Sequence, residues 1–478
     1  MSRDALIQEL RGIVGDHYLL VEKEDVIVYE QDGSFMQAMP EIVVLPANVD
    51  EVAEVVKAAQ RASVPIVPRG SGTGLAGGAV PAEGGVVLSL ARLNRILEID
   101  LKNRLAIVEP GVINLDITKA IAKEGFFYAP DPSSQAACSI GGNIANNSGG
   151  PHTLAYGVTT NHVLGVEVVL DDGEVVWLGG VVADSPGYDL CGVFVGSEGT
   201  MGIVTKAAVR LMRTRESVRT LLAIFDQPER ATQTVVDITG AGIIPGALEM
   251  MDRLTIQAVE KGAPCGYPTD AAAVLLVEIE GVSEHTERAM ALVESICKRN
   301  GARDVRLAKD EADRQLLWKG RKGAFGALGL LAPNYYVQDG VVPRGRLPEI
   351  MVRIAEIAQR YNLLIANVFH AGDGNLHPNI LFDMRKPGEL DRVIEAGTEI
   401  LKACIEMGGS ITGEHGIGLE KKAYIGLLFN AEDLDAMARV RQAFDPELRF
   451  NPAKLFPTPA SCGEVRIEPG KIPAGLWI

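Results

Sequence analysis

The chain has 478 residues, 47% of them hydrophobic, with a mean hydropathy of +0.13, which excludes intrinsic disorder and allows two or three domains. Its formal net charge is −16, and no basic stripe appears in the sequence, which excludes a typical nucleic-acid binder. The six cysteines lie far apart without a C-x-x-C pair, so neither a disulfide framework nor a Cys-ligated cluster is encoded. The charged N-terminus lacks a signal-peptide pattern and no 18-residue apolar span follows, so we expect a cytoplasmic protein without a membrane span.

The first half of the chain has the pattern of a glycine-rich α/β domain. Residues 1–40 predict an N-terminal helical segment, and Ile42–Leu45 predict a short buried strand. Asn48 is placed to cap a helix with Glu51 at its third position, and the Pro65–Pro68 segment is extended again. Strand, helix and strand in this order predict an α/β unit. Further apolar runs extend the strand count at residues 86–90, 96–99, 105–108 and 166–170.

After about residue 214 the glycine-rich loops give way to a regular alternation of strands and helices. Strands are predicted at Leu221–Phe225 and Ala273–Ile279, and a helix at 284–299. A further helix at about 389–407 ends at a Gly-Gly pair. This half predicts a compact α+β cap domain, followed by a C-terminal segment and a surface tail at 458–478.

The Pro68–Pro81 segment is the first candidate binding motif. Five of its residues 70–78 are glycines, and no charged residue lies between Gly70 and Ala82. Successive glycines let backbone N–H groups approach an anion closely, so a phosphate or pyrophosphate is the expected ligand. The motif lacks the Gly-Lys-Ser/Thr of a P-loop, and no obvious helix follows it as in a Rossmann fingerprint.

A second candidate motif is the uncharged stretch 132–166, which is rich in Ser, Asn and Gly. It is too polar for an ordinary core and suits a large, flat, neutral polar ligand, either an isoalloxazine ring or a nucleobase. The Gly196–Thr205 segment is another close-approach turn of this kind. Together the three segments favour a dinucleotide site.

A third constellation carries potential metal ligands. Three of the seven histidines lie in two short motifs, HAGDGNLH at 370–377 and GEHG at 413–416. Gly372, Gly374 and Pro378 exclude a helix, so we expect a curled loop at a strand end to present His370 and His377. With Glu414 they make a three-ligand site suited to Zn²⁺, Mn²⁺ or Fe²⁺; Asp373 and Asn375 are alternates.

These motifs occur together, and in this order, in the FAD-linked D-2-hydroxy-acid dehydrogenases, which the chain resembles over roughly residues 15–457. The shared motifs include GGNIANNSGG at 141–150, GSEGTMGIVT at 196–205 and the closing FDP-x4-NP-x-K at Phe444–Lys454. Ala453 departs from the glycine usual in that last motif. The resemblance implies an α+β protein: a two-part FAD-binding domain of the vanillyl-alcohol-oxidase (PCMH) type at 41–213 and a cap domain at 214–400. Residues 401–457 are expected to return to the FAD domain.

The resemblance also assigns roles to residues of this chain. His370, His377 and Glu414 correspond to metal ligands, His415 to the general base and Arg321 to the clamp on the substrate carboxylate. No His or Cys lies between 68 and 81, so we expect FAD to be bound non-covalently. The expected cofactor contacts are Pro68, Arg69, Gly70, Ser71, Gly72, Thr73, Gly74, Leu75, Gly77, Gly78, Pro132, Ser133, Gly141, Gly142, Asn143, Asn146, Asn147, Gly150, Glu198, Gly199, Gly202, Ile203 and Asn451.

The substrate expected from this likeness is a small 2-hydroxy acid, oxidised to the 2-oxo acid. The hydroxyglutarate-oxidising branch has a hydroxyl residue four positions after the arginine and a lysine in the next strand. Here those places hold Phe325 and Val337-Gln338, which favours glycolate, with D-lactate as the alternative, over a dicarboxylate.

Two hypotheses from other classes remain open on the sequence alone. One is a metal hydrolase that uses only residues 370–415, and the other is a flavin electron-transfer subunit that does not itself dehydrogenate a substrate. The chain encodes no iron–sulfur motif, so reduced flavin needs an outside acceptor. The resemblance implies an iron–sulfur subunit and a second flavin-domain subunit, or an electron-transferring flavoprotein, which would place the chain peripherally at the inner membrane.

Overall fold

The computed structural model describes residues 1–182 and 186–457. The predicted tail at 458–478, with Cys462, lies outside the described residues. Within these two ranges, no helix combines the length and the apolar character needed to cross a lipid bilayer.

Helices and strands alternate along most of the chain. The helices are α1 (Arg3–Val14), α2 (Lys23–Val26), α3 (Val49–Ala62), α4 (Asn114–Ile121), α5 (Ile140–Asn146), α6 (Thr153–Tyr156), α7 (Leu190–Phe194), α8 (Pro228–Gly240), α9 (Arg253–Gly262), α10 (Ser283–Arg299), α11 (Glu311–Lys322), α12 (Ala324–Leu328), α13 (Leu347–Tyr361), α14 (Glu389–Glu406), α15 (Ile425–Leu428) and α16 (Ala431–Phe444). The strands are β1 (Leu19–Leu20), β2 (Ile42–Val44), β3 (Ile66–Arg69), β4 (Val86–Ser89), β5 (Ile96–Asp100), β6 (Leu105–Val108), β7 (Phe126–Phe127), β8 (Val163–Val169), β9 (Val175–Gly179), β10 (Ile203–Arg210), β11 (Met212–Arg213), β12 (Ser217–Phe225), β13 (Ala247–Asp252), β14 (Ala273–Gly281), β15 (Asp304–Leu307), β16 (Asn334–Val337), β17 (Gly340–Val341), β18 (Leu364–His370) and β19 (Asn375–Phe382).

These elements form two compact units, and each unit is discontinuous in sequence. The first unit contains residues 1–149, 158–214 and the segment from Glu414 onward, and the second contains residues 150–157 and 215–413. The boundary at 413 differs from the one expected at 400. It lies later because α14 packs against β17 and β19 and so stays with the second unit.

The first unit is built on two sheets. In one, β2, β4 and β3 run parallel and β1 adds an antiparallel edge. Helix α3 connects β2 to β3, and its cap is the predicted one, since Asn48 accepts a hydrogen bond from the Glu51 N–H. Val52, Val55 and Val56 of α3 are buried in the core of this layer. The predicted strand, helix and strand are therefore confirmed.

The other sheet of the first unit is antiparallel, with the order β5-β6-β10-β8-β9. Its apolar face and helices α4, α5 and α7 share a second core. Helix α5 lies inside the polar stretch 132–166, and the sequence analysis did not predict this helix. Ser139 caps it by accepting a hydrogen bond from the Gly142 N–H, which explains why a glycine-rich segment can begin a helix here.

The second unit is an antiparallel sheet with helices in two groups. Its strand order is β15-β12-β14-β13-β18-β19-β16, and β17 also pairs with β19. Helices α8, α10, α13 and α14 form one group, and α9, α11 and α12 form the other. The α9, α11 and α12 group packs on the face that carries Leu276 and Met251, and this face also carries the polar residues described below.

Glu278 is a charged residue on this buried face. It lies opposite Thr220 in the strand register, and its carboxylate accepts hydrogen bonds from Thr220 Oγ1 (2.6 Å) and Trp318 Nε1 (2.7 Å). Arg314 and His152 pair with it at 3.1 Å and 3.4 Å. Burial alone would raise the pKa of Glu278, but the hydrogen bond and charge of His152, with Arg314 and Thr220, lower it to about 2.

The Glu278→Gln variant tests this cluster through acid unfolding. Because the pKa is depressed in the folded chain, the stabilisation is complete above the unfolded pKa near 4.5 and is lost as the pH falls toward 2. We expect the pH-dependent part of the unfolding free energy to shrink by about 3 kcal/mol in the variant. Chemical unfolding at a series of acidic pH values measures this difference.

Glu287→Gln serves as the matched control, because Glu287 is exposed and forms an ion pair with the partly exposed Arg219. A pH dependence that is equal in Glu278→Gln and the wild type would contradict the role assigned to Glu278.

Candidate functional site

In the first unit, the glycine loop lies against the start of helix α5. Strand β3 ends at Arg69, and Gly70 follows at once; a Cβ on Gly70 would lie 2.2 Å from Ser139 Oγ and 3.5 Å from the Gly142 nitrogen. The first two motifs of the sequence are thereby brought together. A glycine at position 70 permits this close approach of the loop to Ser139, the residue that caps α5.

A cavity of about 400 Å³ opens at the same place. It is lined by Gly70, Ser71, Gly111, Ser139 and their neighbours Ala91, Asn94, Ile96, Val112, Ile113 and Asp116. Next to the loop, Arg69 is only 8% exposed, and its Nη1 has no hydrogen-bond partner among the described residues. A concave, glycine-lined space beside a buried cation suits a pyrophosphate group.

The asparagines of the GGNIANNSGG run are mostly engaged within the protein. Asn143 Oδ1 accepts from Asn114 Nδ2 at 2.9 Å, and Asn147 Oδ1 accepts from the Thr160 N–H at 2.8 Å. Asn146 Nδ2 donates to the carbonyl oxygen of His415 at 3.3 Å. These amide groups therefore shape the loop through contacts within the first unit.

Two other predicted cofactor contacts also have protein partners. The Glu198 carboxylate accepts hydrogen bonds from the N–H groups of Ile417 (2.6 Å) and Gly418 (2.7 Å). Asn451 Nδ2 donates to the carbonyl oxygens of Glu198 and Gly78. Both residues tie separate segments of the first unit together, a role that the sequence analysis did not foresee.

In the second unit, strand register brings Glu249 next to His370. The two residues are direct partners in the antiparallel pairing of β13 and β18, so their side chains leave the same face of the sheet. His370 Nδ1 lies 3.0 Å from both carboxylate oxygens of Glu249. Both side chains are at least 97% buried.

Arg321 completes this buried cluster from helix α11. Its Nη2 lies 2.5 Å from Glu249 Oε2 and 3.4 Å from His370 Nδ1, and the side chain is 1% exposed. Burial alone would raise the pKa of Glu249, but the charges of Arg321 and His370 outweigh it and lower the pKa below its usual value. Arg321 Nε has no hydrogen-bond partner among the described residues.

His377 lies beside His370, with 5.1 Å between the ring centroids. The expectation that a curled loop presents both rings is wrong: His370 ends β18, and His377 is inside β19. The turn needs only Ala371–Gly374, where Gly374 has a φ of +83°. Pro378 has no N–H to donate, but it does not interrupt β19. On the side that faces β16, its carbonyl oxygen accepts a hydrogen bond from the Gln338 N–H, and no donor is needed there.

Two further side chains contact His377. Asp339 Oδ1 lies 3.5 Å from His377 Nε2, and the ring of Phe325 from α12 lies 5.8 Å from the imidazole centroid. Asp339 also accepts hydrogen bonds from Thr412 and from the Gly413 N–H. Gln338, the neighbour of Asp339, packs instead toward Tyr336 and Gly397 of α14, as strand alternation requires.

The remaining predicted site residues belong to the other unit. Glu414 and His415 begin the last segment of the first unit, while His370, His377 and Arg321 belong to the second. Gly413, which precedes Glu414 in the chain, is the last residue of the second unit.

The sequence analysis missed Glu249 and Asp339. Glu249 carries the only charge between Ile243 and Met251, and such an isolated carboxylate in an apolar strand was the available signal. Asp339 follows the apolar segment YYV in the same way. Glu249 lies in no recognisable motif, so only the strand register reveals that it contacts His370.

The family of the chain follows from its similarity to known proteins. Residues 40–179 match the FAD binding domain family, and residues 214–455 match the family described as FAD linked oxidases, C-terminal domain. The chain is 47% identical over 477 residues, 99% of this chain and 96% of the relative, to the glycolate oxidase subunit GlcD of Escherichia coli strain K12.

The chain belongs to the FAD-linked oxidases.

Other members and a solved structure agree with this assignment. The glycolate oxidase subunit GlcD of Bacillus subtilis is 46% identical over 90% of this chain and 92% of its own length. The D-lactate dehydrogenase of Archaeoglobus fulgidus is 35% identical over 87% and 91%. The crystal structure of p-cresol methylhydroxylase has a TM-score of 0.77 at 18% identity, over 95% of this chain and 96% of that one. The fold predicted for this FAD-linked oxidase, with its PCMH-type FAD domain, is confirmed.

FAD fits the first unit of this oxidase on structural grounds as well. The cavity at Gly70 and Ser139, the close approach of the glycine loop to Ser139 and the buried Nη1 of Arg69, which has no hydrogen-bond partner among the described residues, together suit a dinucleotide pyrophosphate. Which of the predicted cofactor contacts touch FAD stays a prediction.

Gly70→Ala tests the pyrophosphate assignment. Its new methyl group would meet Ser139 Oγ and push the loop away from α5, so we expect the purified variant to lose most of its flavin. The ratio of flavin to protein absorbance measures this loss.

Gly12→Ala is the matched control, because among the described residues no atom beyond the adjoining backbone of α1 lies within 4 Å of the Cβ position at Gly12. Full flavin content in Gly70→Ala would show that the cofactor does not depend on this approach.

Proposed function

We propose that this FAD-linked oxidase dehydrogenates a small 2-hydroxy acid, preferably glycolate, to the 2-oxo acid. The observation that carries the proposal is the buried cluster of Arg321, Glu249 and His370 beside His377. In this cluster, the guanidinium can bind a carboxylate and the imidazoles lie where an alcohol oxygen could bind. A carboxylate and an alcohol are the two functional groups of a 2-hydroxy acid. Membership in the FAD-linked oxidases decides against the metal-hydrolase alternative.

Arg321 is proposed to bind the substrate carboxylate. Glu249 fixes the guanidinium through Nη2, and the unpartnered Nε leaves a donor that an anionic oxygen can satisfy. A guanidinium held in this way loses little conformational entropy when the substrate binds. Its task is to orient the α-hydrogen, which raises the effective concentration of the reacting groups.

We propose that His370, His377 and Glu414 hold a divalent ion, with Asp373 and Asn375 as alternate ligands. The donor set fits, because His370 contacts the Glu249 carboxylate through Nδ1, which directs Nε2 toward an ion. Metal-binding histidines commonly have a carboxylate on their second nitrogen. Zn²⁺, Mn²⁺ or Fe²⁺ would supply Lewis-acid polarisation of the alcohol oxygen when bound.

His415 is proposed as the general base that takes the hydroxyl proton. An imidazole has an ordinary pKa near 6.5, which suits proton removal at neutral pH. FAD, when bound, supplies the acceptor for the hydride of the α-carbon.

Phe325 supports a small substrate. Its ring lies 5.8 Å from the His377 imidazole and takes up space beside it, which leaves less room for a second carboxylate chain. D-lactate is the second candidate substrate, because one of the relatives is a D-lactate dehydrogenase. D-lactate differs from glycolate by one methyl group.

We further propose that FAD is held non-covalently and that electrons leave through partner proteins. The names of the GlcD relatives describe a subunit, which supports a multi-subunit enzyme. An iron–sulfur subunit and a second flavin-domain subunit, or an electron-transferring flavoprotein, would carry the electrons. Such a complex would be cytoplasmic, at most peripheral at the inner membrane.

Anaerobic mixing of the FAD-loaded protein with a panel of acids tests the proposed substrate class. We expect glycolate to bleach the flavin absorbance fastest, D-lactate more slowly and D-2-hydroxyglutarate least, because Phe325 restricts the larger chain. Stopped-flow absorbance gives the rates. If none of the 2-hydroxy acids bleaches the flavin, the chain is an electron-transfer subunit instead.

His377→Asn tests the metal proposal without an activity measurement. We expect the bound metal per chain, determined by elemental analysis, to fall at least about tenfold, since a ligand is lost. His285→Asn is the matched control, because His285 is an exposed histidine of the same unit. Equal metal content in both variants would remove His377 from the ligand set.

A further inference from the structure

We propose that Glu198 is a positioning residue that fixes the loop of the proposed base His415. The inference rests on the proposed function, because it assigns His415 the proton-removing role. It concerns only the first unit, to which Glu198 and the loop both belong.

The Glu198 carboxylate binds the loop backbone through both of its oxygens. Oε1 accepts the Ile417 N–H at 2.6 Å and Oε2 accepts the Gly418 N–H at 2.7 Å. These donors are the second and third residues after His415. Two charge-assisted hydrogen bonds to consecutive amides fix the position and the direction of the backbone there.

Glu198 is itself held rigidly. Its φ is +53°, an unusual backbone conformation for a residue with a side chain. Its N–H donates to the Ala145 carbonyl oxygen at 2.8 Å, and its own carbonyl oxygen accepts from Asn451 Nδ2 at 2.6 Å. A backbone held in this conformation by neighbours on both sides is typical of functional positions.

The loop is shaped to fit this carboxylate. A Cβ on Gly416 would lie 2.7 Å from Glu198 Oε1, so only glycine fits between His415 and Ile417. Asn146 donates to the His415 carbonyl oxygen, and the Leu419 N–H donates to the Ala76 carbonyl oxygen at 2.9 Å. The backbone from the His415 carbonyl group to Leu419 is thus fixed by contacts within the first unit.

Buried lysines balance the charge of the carboxylate. Glu198 is 6% exposed, and burial raises its pKa above the usual value, although the two amides and the charges of Lys421 and Lys454 act in the opposite direction. Lys454 also donates to the Val80 carbonyl oxygen and to Asn451 Oδ1. Protein groups surround the Glu198 carboxylate. We therefore infer that this side chain supports the loop and does not contact a ligand.

The Glu198→Gln variant of the full-length, FAD-loaded protein tests the inference. The amide retains one acceptor oxygen but places an N–H₂ group against the second loop amide. We expect the rate of flavin reduction by glycolate, measured per bound flavin, to fall about ten- to hundredfold, as for other positioning groups. The solvent isotope effect on that rate should rise, because removal of the hydroxyl proton becomes slower.

Hydrogen exchange followed by mass spectrometry gives a readout that is independent of activity. In the wild type, peptides that cover residues 414–420 should exchange slowly, and in Glu198→Gln they should exchange faster. Fast exchange of these residues in the wild type would overturn the inference even if no variant folds.

Glu51→Gln is the control, because Glu51 is a carboxylate of the same unit that accepts the Ala47 N–H at 2.7 Å and has no contact with the His415 loop among the described hydrogen bonds. We expect exchange to increase only around residues 47–51, with the isotope effect unchanged.

The His415→Asn variant separates the two proposals. If His415→Asn reduces its flavin as fast as the wild type, the proposed base is wrong. If His415→Asn is slow and Glu198→Gln is as fast as the wild type with an unchanged isotope effect, only the positioning role of Glu198 is wrong.

Discussion

The arrangement of the candidate site in the second unit depends on the stabilisation of one buried negative charge, the Glu249 carboxylate. Glu249 is 1% exposed, and a carboxylate so far from water stays ionised only beside compensating charge. Arg321 and His370 provide this compensating charge. The three side chains therefore lie close together on one face of the sheet. Removing one partner of such a buried pair generally costs about 3–5 kcal/mol, so the three side chains hold one another in place.

Carboxylates perform comparable tasks elsewhere in the molecule. Glu198 and Asp445 each hold a loop by accepting two neighbouring backbone N–H groups, and Asp339 holds Thr412 and Gly413 while it contacts His377. Each of these carboxylates joins segments that are distant in sequence or shapes a turn. These hydrogen bonds fix irregular, glycine-rich segments that contribute few apolar side chains to a core.

Motifs with a local physical cause could be predicted from the sequence. The cap at Asn48, the helix that ends before Gly408 and the apolar strands follow from periodicity and turn chemistry within a few residues. The candidate imidazoles were visible because histidines are rare in this chain and clustered in two glycine motifs. The family resemblance supplied the domain plan.

The contacts that depend on register could not be predicted in this way. Glu249 meets His370 only because β13 and β18 pair at those two positions, 121 residues apart. The same holds for Glu198 and Gly418, which are 220 residues apart. Pro378 served locally only to exclude a helix, and a curled loop was expected; instead it lies within β19, where its carbonyl oxygen accepts a hydrogen bond from the Gln338 N–H.

The order of segments along the chain has a consequence for biosynthesis. Strand β3 pairs through Ile66 with Phe450, and Asn451 and Lys454 bond to Gly78 and Val80, so the glycine loop is completed by residues near the C-terminus. During translation the ribosome releases almost all of the second unit before those residues exist. The first unit can therefore be completed only after residues 450–454 have been synthesised, whereas every residue of the second unit precedes them in the chain.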